Sequence, residues 1–216
     1  MPATTAGINR AVEISAGPHR LSGILRVPSA AKGVVAFAHG SGSGRFSPRN
    51  QFVARELQRA DLATLLLDLL AEDEADDRRK VFDIALLAER LQSAADWLKN
   101  ESATRALSLG YFGASTGAGA ALVAAARQPA AVRAVVSRGG RPDLAKNLLP
   151  AVQAPTLLIV GGNDDVVIEL NEQALLQLGC PKEMVVIPVA THLFEEPGAL
   201  EEVARLATEW FSRHLG

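Results

Sequence analysis

Ser115 stands at the centre of Gly113-Ala114-Ser115-Thr116-Gly117, after an apolar run with Leu107 and Leu109 and before an alanine-rich run from Ala120 to Ala126. That context predicts strand, sharp turn and helix, with Ser115 at the apex. A residue held in a sparsely allowed backbone conformation needs small neighbours two places before and after it. Gly113 and Gly117 supply them, and Ala114 and Gly119 keep the surroundings small. The pattern is that of a nucleophile elbow, which lifts a hydroxyl clear of a sheet at the positive end of the next helix.

A serine hydroxyl attacks only when a base takes its proton, and that base needs a carboxylate to fix its tautomer. His19 falls in an early hairpin turn and His214 in the last helix, while His39 sits in a glycine-rich loop that it is expected to shape. His192 follows the last strand, and the chain order nucleophile, acid, histidine selects it as the base. Asp143, Asp164 and Asp165 lie between Ser115 and His192 on suitable loops. Asp164, in a loop opened by Gly161-Gly162, is the first choice for the acid, and Asp165 is the alternative. The oxyanion is expected to meet the N–H of Thr116 and that of Ser41, or else of Gly42. Arg45, Arg138 and Arg141 gather on the same edge. Arg45 and Arg138 are candidates to grip an anionic substrate group. Structural pairing with Asp68, Asp143 or the acidic stretch Glu72 to Asp77 is the competing reading. No HExxH pattern, paired cysteines or clustered histidines occur, so no metal and no cofactor are expected. The glycines around Ser115 also lack dinucleotide-binding spacing.

These side chains must be carried by a scaffold. Residues 11–16 and 21–27 alternate by two around Gly17-Pro18, which predicts an antiparallel hairpin at a sheet edge. Residues 33–38, 62–67, 132–136, 156–160 and 184–189 are short apolar runs, as expected of buried strands. Ser47 and Pro48 predict a helix start. Ile84, Leu87, Ala88, Leu91, Ala95 and Leu98 recur at helical spacing, with Asp83, Glu89, Arg90, Gln92 and Lys99 on the other face. Residues 72–80 read as a solvated loop and the natural place for a lid. Leu170, Ala174, Leu175 and Leu178 predict another helix, and Pro197 is expected to open the last one. Strands alternating with helices mean an α/β fold, a doubly wound, mostly parallel sheet flanked by helices. Its ligands bind at the carboxyl ends of the strands, where every polar cluster above lies.

The length suits one domain over residues 1–216. A net charge of −2 argues against nucleic acid or an anionic membrane as partner. The N-terminal stretch lacks a cationic segment followed by an apolar one, so no signal peptide is expected. No apolar run reaches membrane-spanning length. The single cysteine, Cys180, fits a reducing cytoplasm and is read as structural.

Six blocks carry a resemblance: AHGSGSGRFSPRN from Ala38, LLLDLL from Leu65, YFGASTGAGAAL from Tyr111, SRGGRPDLA from Ser137, TLLIVGGNDDVV from Thr156 and THLFEEPGAL from Thr191. Together they resemble the α/β-hydrolases, and within them the compact dienelactone hydrolase-like group. The resemblance spans Leu21 to Leu215 and implies Ser115 as nucleophile, Asp164 as acid and His192 as base. It is to a subset whose relatives also occur attached to phosphoribosyltransferase domains, and no such domain is present in this chain. Dienelactone hydrolases generally carry cysteine at the elbow; Ser115 here favours a general ester hydrolase. The long insertion that forms a large lid in many lipases is missing, which disfavours long-chain triglycerides. The expectation is a cytoplasmic serine hydrolase of small soluble carboxylic esters or lactones, a monomer or small homo-oligomer. Thioesters, amides or phosphotriesters are alternative substrates for the same triad, and a non-catalytic binding protein is the alternative of another class.

Overall fold

The computed structural model describes residues 7–216. Most of the N-terminal stretch read for a signal peptide lies outside them. The hairpin pairs β1 (Ile8–Ala16) with β2 (His19–Val27) and turns at Gly17, whose φ is +62°. Strands β3 (Gly33–Ala38), β4 (Leu62–Leu67) and β7 (Thr156–Gly161) are buried along their whole length, as continuous apolar runs should be. With β5 (Ser108–Ala114), β6 (Val132–Arg138) and β8 (Lys182–Ile187) they complete one sheet of order β1-β2-β4-β3-β5-β6-β7-β8. Both pairings of β2 are antiparallel; all pairings from β4 to β8 are parallel.

Alternation along the strands builds a core on each face. Phe37, Phe112 and Val136 point to the side covered by α1 (Pro48–Arg59) and α6 (Ala199–Leu215). Ala36, Tyr111 and Val135 point to the side covered by α3 (Ile84–Asn100) and α4 (Thr116–Arg127). Helix α1 starts where expected, with Ser47 Oγ accepting from the Asn50 N–H and Pro48 at its first position. Such a cap contributes about 1 kcal/mol. Helix α5 (Asp165–Gln177) packs beside β7 and β8.

Five features differ from the sequence reading. The last strand runs two residues earlier than read, because Pro188 has no N–H for the ladder and Val189 turns with φ of 54°. The last helix begins at Ala199 rather than Pro197, after Gly198 in the left-handed region. Residues 142–151 form an unpredicted 3₁₀ segment, interrupted by Lys146 at φ 52°. Finally, 72–80 is not simply a solvated loop. It contains the start of α2 (Arg78–Val81), and Glu74 inside it is buried. Its partner Arg90 is buried too, against the expectation of an exposed face.

Candidate active site

The elbow forms where β5 meets α4. Ser115 adopts φ 51° and ψ −123°, a region costly for any residue with a side chain. A Cβ on Gly113 would overlap the backbone of Ala118, and one on Gly117 the carbonyls of Ala38 and His39. Only glycine fits at either place. The Ser115 N–H donates to the Arg138 carbonyl at 3.3 Å, while its own carbonyl accepts from Ala118 and Arg141. The conformation is thus held from two sides.

His192 lies on the loop after β8 and Asp164 on the loop after β7. Those loops are tied together: Asn163 donates through its N–H to Ala190 O and through Nδ2 to Val189 O, both at 2.9 Å. His192 Nδ1 lies 2.6 Å from Asp164 Oδ2, and His192 Nε2 lies 3.3 Å from Ser115 Oγ. The network assigns the proton on Nδ1 as donated to Asp164 and the Ser115 hydroxyl as donor to Nε2. Asp165, the alternative acid, is the first residue of α5 and exposed. His19 opens β2 and faces Glu74, with Nε2 3.4 Å from its Oε1, and the His214 ring lies tilted against Trp210 in α6. Neither belongs to this cluster.

His39 braces the loop that faces the elbow. Its Nδ1–H donates to Gly40 O at 2.9 Å and its Nε2 accepts from the Leu69 N–H at 3.0 Å. That double role requires the neutral ring. Burial holds its pKa below the ordinary value, against the opposing pull of the Gly40 carbonyl and of Asp68. Gly40 brings the loop close: a Cβ there would lie 3.0 Å from Ser115 Cβ. The Ser41 N–H donates to Thr116 Oγ1 at 3.1 Å, a bond that spacing alone did not reveal.

The arginines divide. Arg45 binds Asp68 through its guanidinium and its main-chain N–H, and Arg141 binds Asp143. Arg138 has no carboxylate within 4 Å among the described residues. Its Nη2 reaches Asn50 Oδ1 at 3.4 Å, its Nε has no partner, and the ring of Phe194 lies 5.7 Å away. Burial, followed by the charge of Arg49, lowers its pKa to about 10. Arg49, which the sequence did not single out, donates to Glu195 at 3.0 Å. A cavity of about 790 Å³ adjoins the loop after β3, lined among others by Gly40, Ser41, Arg45, Arg49, Leu70 and Val81. Ser115 and His192 do not line it, so it lies beside that cluster rather than around it. Among the described residues no three His, Cys, Asp or Glu side chains group as a metal site.

The sequence profile of the Dienelactone hydrolase family matches residues 54–215, a span that holds Ser115, Asp164 and His192. The chain belongs to the dienelactone hydrolase family. A crystal structure described as a dienelactone hydrolase from Anabaena variabilis is 58% identical, covers 97% of this chain and 99% of its own, and superposes with a TM-score of 0.95. Est1E from Butyrivibrio proteoclasticus shares the dienelactone hydrolase-like fold at 16% identity, with a TM-score of 0.80 over 94% of this chain and 98% of its own. A Mycobacterium tuberculosis H37Rv protein that carries the provisional name of phosphoribosyl transferase is 57% identical over 94% of this chain and 46% of its own length. The chain therefore spans about half the length of that curated relative. Among the described residues no helix is long and apolar enough to cross a membrane.

Proposed function

We propose that this dienelactone hydrolase-family chain is a serine hydrolase of small, soluble carboxylic esters or lactones. The observation that carries the reading is the hydrogen-bonded line from Asp164 through His192 to Ser115, ending on a serine in a strained conformation. In this reading His192 Nε2 takes the Ser115 proton as Oγ bonds to the carbonyl carbon, and the carbonyl electron pair moves onto oxygen. Collapse of that intermediate breaks the bond to the alcohol oxygen, which leaves with the proton from His192. Water then gives a proton to His192 and attacks the acyl-enzyme, and the second collapse returns the proton to Ser115 as the acid departs. Asp164 holds the imidazole in one tautomer and balances its transient charge.

The adjoining cavity would receive one side of the ester. Its apolar lining at Leu70, Ala75, Val81 and Leu87 suits a short carbon skeleton, and Arg49, paired with Glu195, stands at its edge. We further propose that Arg138, rather than the already paired Arg45, attracts an anionic substrate group. The free, buried Cys180 suits a cytoplasmic setting for the reaction.

Turnover of p-nitrophenyl acetate and butyrate by wild type and Ser115→Ala tests the reading. Loss of a triad nucleophile costs on the order of 10⁶ in kcat in well-studied serine hydrolases, so the variant should be inactive. Retention of most activity would end the proposal. A panel with thioesters, amides and phosphotriesters separates the leaving-group classes; a structure of the same fold at 19% identity is described as a promiscuous phosphotriesterase. Failure of a fluorophosphonate probe to label Ser115 would instead favour a binding protein.

A further inference from the structure

An oxyanion needs donors that are free when it forms. The N–H of Ser41 is the expected donor on the loop after β3, with that of Gly42 as the alternative, yet the Ser41 N–H already donates to Thr116 Oγ1 at 3.1 Å. An amide has one proton to give. The loop is also poorly able to turn and free it. Ser43 N–H closes a turn onto Gly40 O at 3.2 Å, and His39 bonds that same carbonyl at 2.9 Å while accepting from Leu69.

Thr116 is the residue after the nucleophile, the first of α4, and is buried. Its hydroxyl accepts from Ser41 and keeps a proton of its own. Among the described residues that proton has no acceptor. The Thr116 main-chain nitrogen and Oγ1 are three bonds apart, so both can reach one oxygen. A hydroxyl that accepts from an amide also becomes a stronger donor.

We propose that the Thr116 hydroxyl is a catalytic oxyanion donor, polarised by the Ser41 N–H behind it. The main-chain N–H of Thr116 supplies the companion bond. Ser41 thus acts one step removed, as a positioning residue for Thr116. The proposal rests on the acyl-transfer reading above.

The test compares wild type with Thr116→Val, Thr116→Ala and Thr116→Ser, each checked for a native melting transition. Valine keeps the shape, alanine avoids any crowding, and serine keeps the hydroxyl. With p-nitrophenyl acetate the two hydroxyl-free variants should lose about 10²-fold or more in kcat, the usual effect of one oxyanion donor, with KM little changed. Serine should retain most of the activity. On the matching thionoester, whose sulfur is a poor acceptor, the gap between wild type and Thr116→Val should shrink. A residue that only shapes the loop would slow both esters equally.

Wild-type kcat in either hydroxyl-free variant, an equal loss in Thr116→Ser, or equal losses on ester and thionoester would each overturn the proposal. A wild type that cleaves the ester and is labelled by fluorophosphonate at Ser115, beside an unimpaired Thr116→Val, fails the Thr116 inference alone. A wild type that does neither removes the acyl-transfer reading, and this inference with it.

Discussion

Asp164 and Asp165 carry the same group one residue apart, and geometry assigns them different work. Asp164 sits just outside α5 and spends its carboxylate on His192 Nδ1 at 2.6 Å instead of capping the helix. Asp165 sits in the exposed first turn, where a negative charge favours the helix dipole. Asp164→Asn should therefore lower kcat by about 10⁴, since an amide can stabilise the wrong tautomer. Asp165→Asn should leave kcat unchanged and cost at most about 1 kcal/mol of stability. Steady-state kinetics and a denaturant melt on the two variants decide it; the reverse pattern would hand the acid role to Asp165. Arg138 poses a different question, because a buried cation with no carboxylate partner is costly. Arg138→Met should match or exceed wild type in melting temperature. It should also raise KM at least about 10-fold for esters bearing a carboxylate or phosphate, the value of one charge-assisted hydrogen bond, and leave neutral esters unchanged. Equal effects on both ester types would show that Arg138 does not attract the substrate's charge.

At the scale of elements, the segment around α2 differs most from its sequence reading. Its charges suggested solvation, yet Glu74 is buried and accepts from Lys80 at 3.0 Å, Arg90 at 3.1 Å and the Ala71 N–H at 3.1 Å. Arg90 also donates to the Ala16 carbonyl at the hairpin. The segment is therefore clamped between α3 and the hairpin. Lys80 and Ala71 are neighbours in the segment, but its burial depends on Arg90 in α3 and on the hairpin, which only the fold brings to it. The strands were legible for the opposite reason: 33–38 and 62–67 are unbroken apolar runs whose boundaries are set within the run itself. Burial by itself raises the pKa of Glu74. The hydrogen bonds from Lys80 and Ala71 and the charges of Arg90 and His19 outweigh it, so the carboxyl titrates below its ordinary 4.5. A depressed folded pKa contributes stability that is complete above the unfolded value and lost as pH falls through the folded one. Thermal melts should therefore show this contribution intact at neutral pH and fading below about 4.5. Glu74→Ala should cost about 3–5 kcal/mol at pH 7, as removal of one partner from a buried ion pair does. Glu74→Gln should flatten the acid limb of the melting curve; an unaltered limb would mean that other carboxylates govern it.

Across the whole molecule, the candidate site was legible because it draws on loops at one edge of one sheet. Chain order fixed the choice of His192 over three other histidines, and the glycines at 113 and 117 marked the elbow. The bond from Ser41 to Thr116 was not legible, since it depends on a side-chain rotamer that spacing does not encode. Nor was the seating of α6, the helix that follows the His192 loop and crosses β3 and β5, the strands that lead to the glycine-rich loop and to Ser115. It fits because β5 has a notch at Gly110: a Cβ there would lie 2.7 and 2.9 Å from Phe211 ring atoms and 3.1 Å from Leu215 Cδ1. Phe211 is fully buried and has no room to yield. Gly110→Ala should thus force α6 away from the sheet and cost about 1–3 kcal/mol by overpacking. Phe211→Leu alone should cost stability by leaving a cavity. Combined, the two changes relieve each other, because the smaller side chain makes room for the new methyl. The double variant should be more stable than the sum of the single losses by at least about 0.5 kcal/mol, the threshold for residues in contact. Strict additivity in a denaturant-melt cycle would mean that α6 is not seated through this notch.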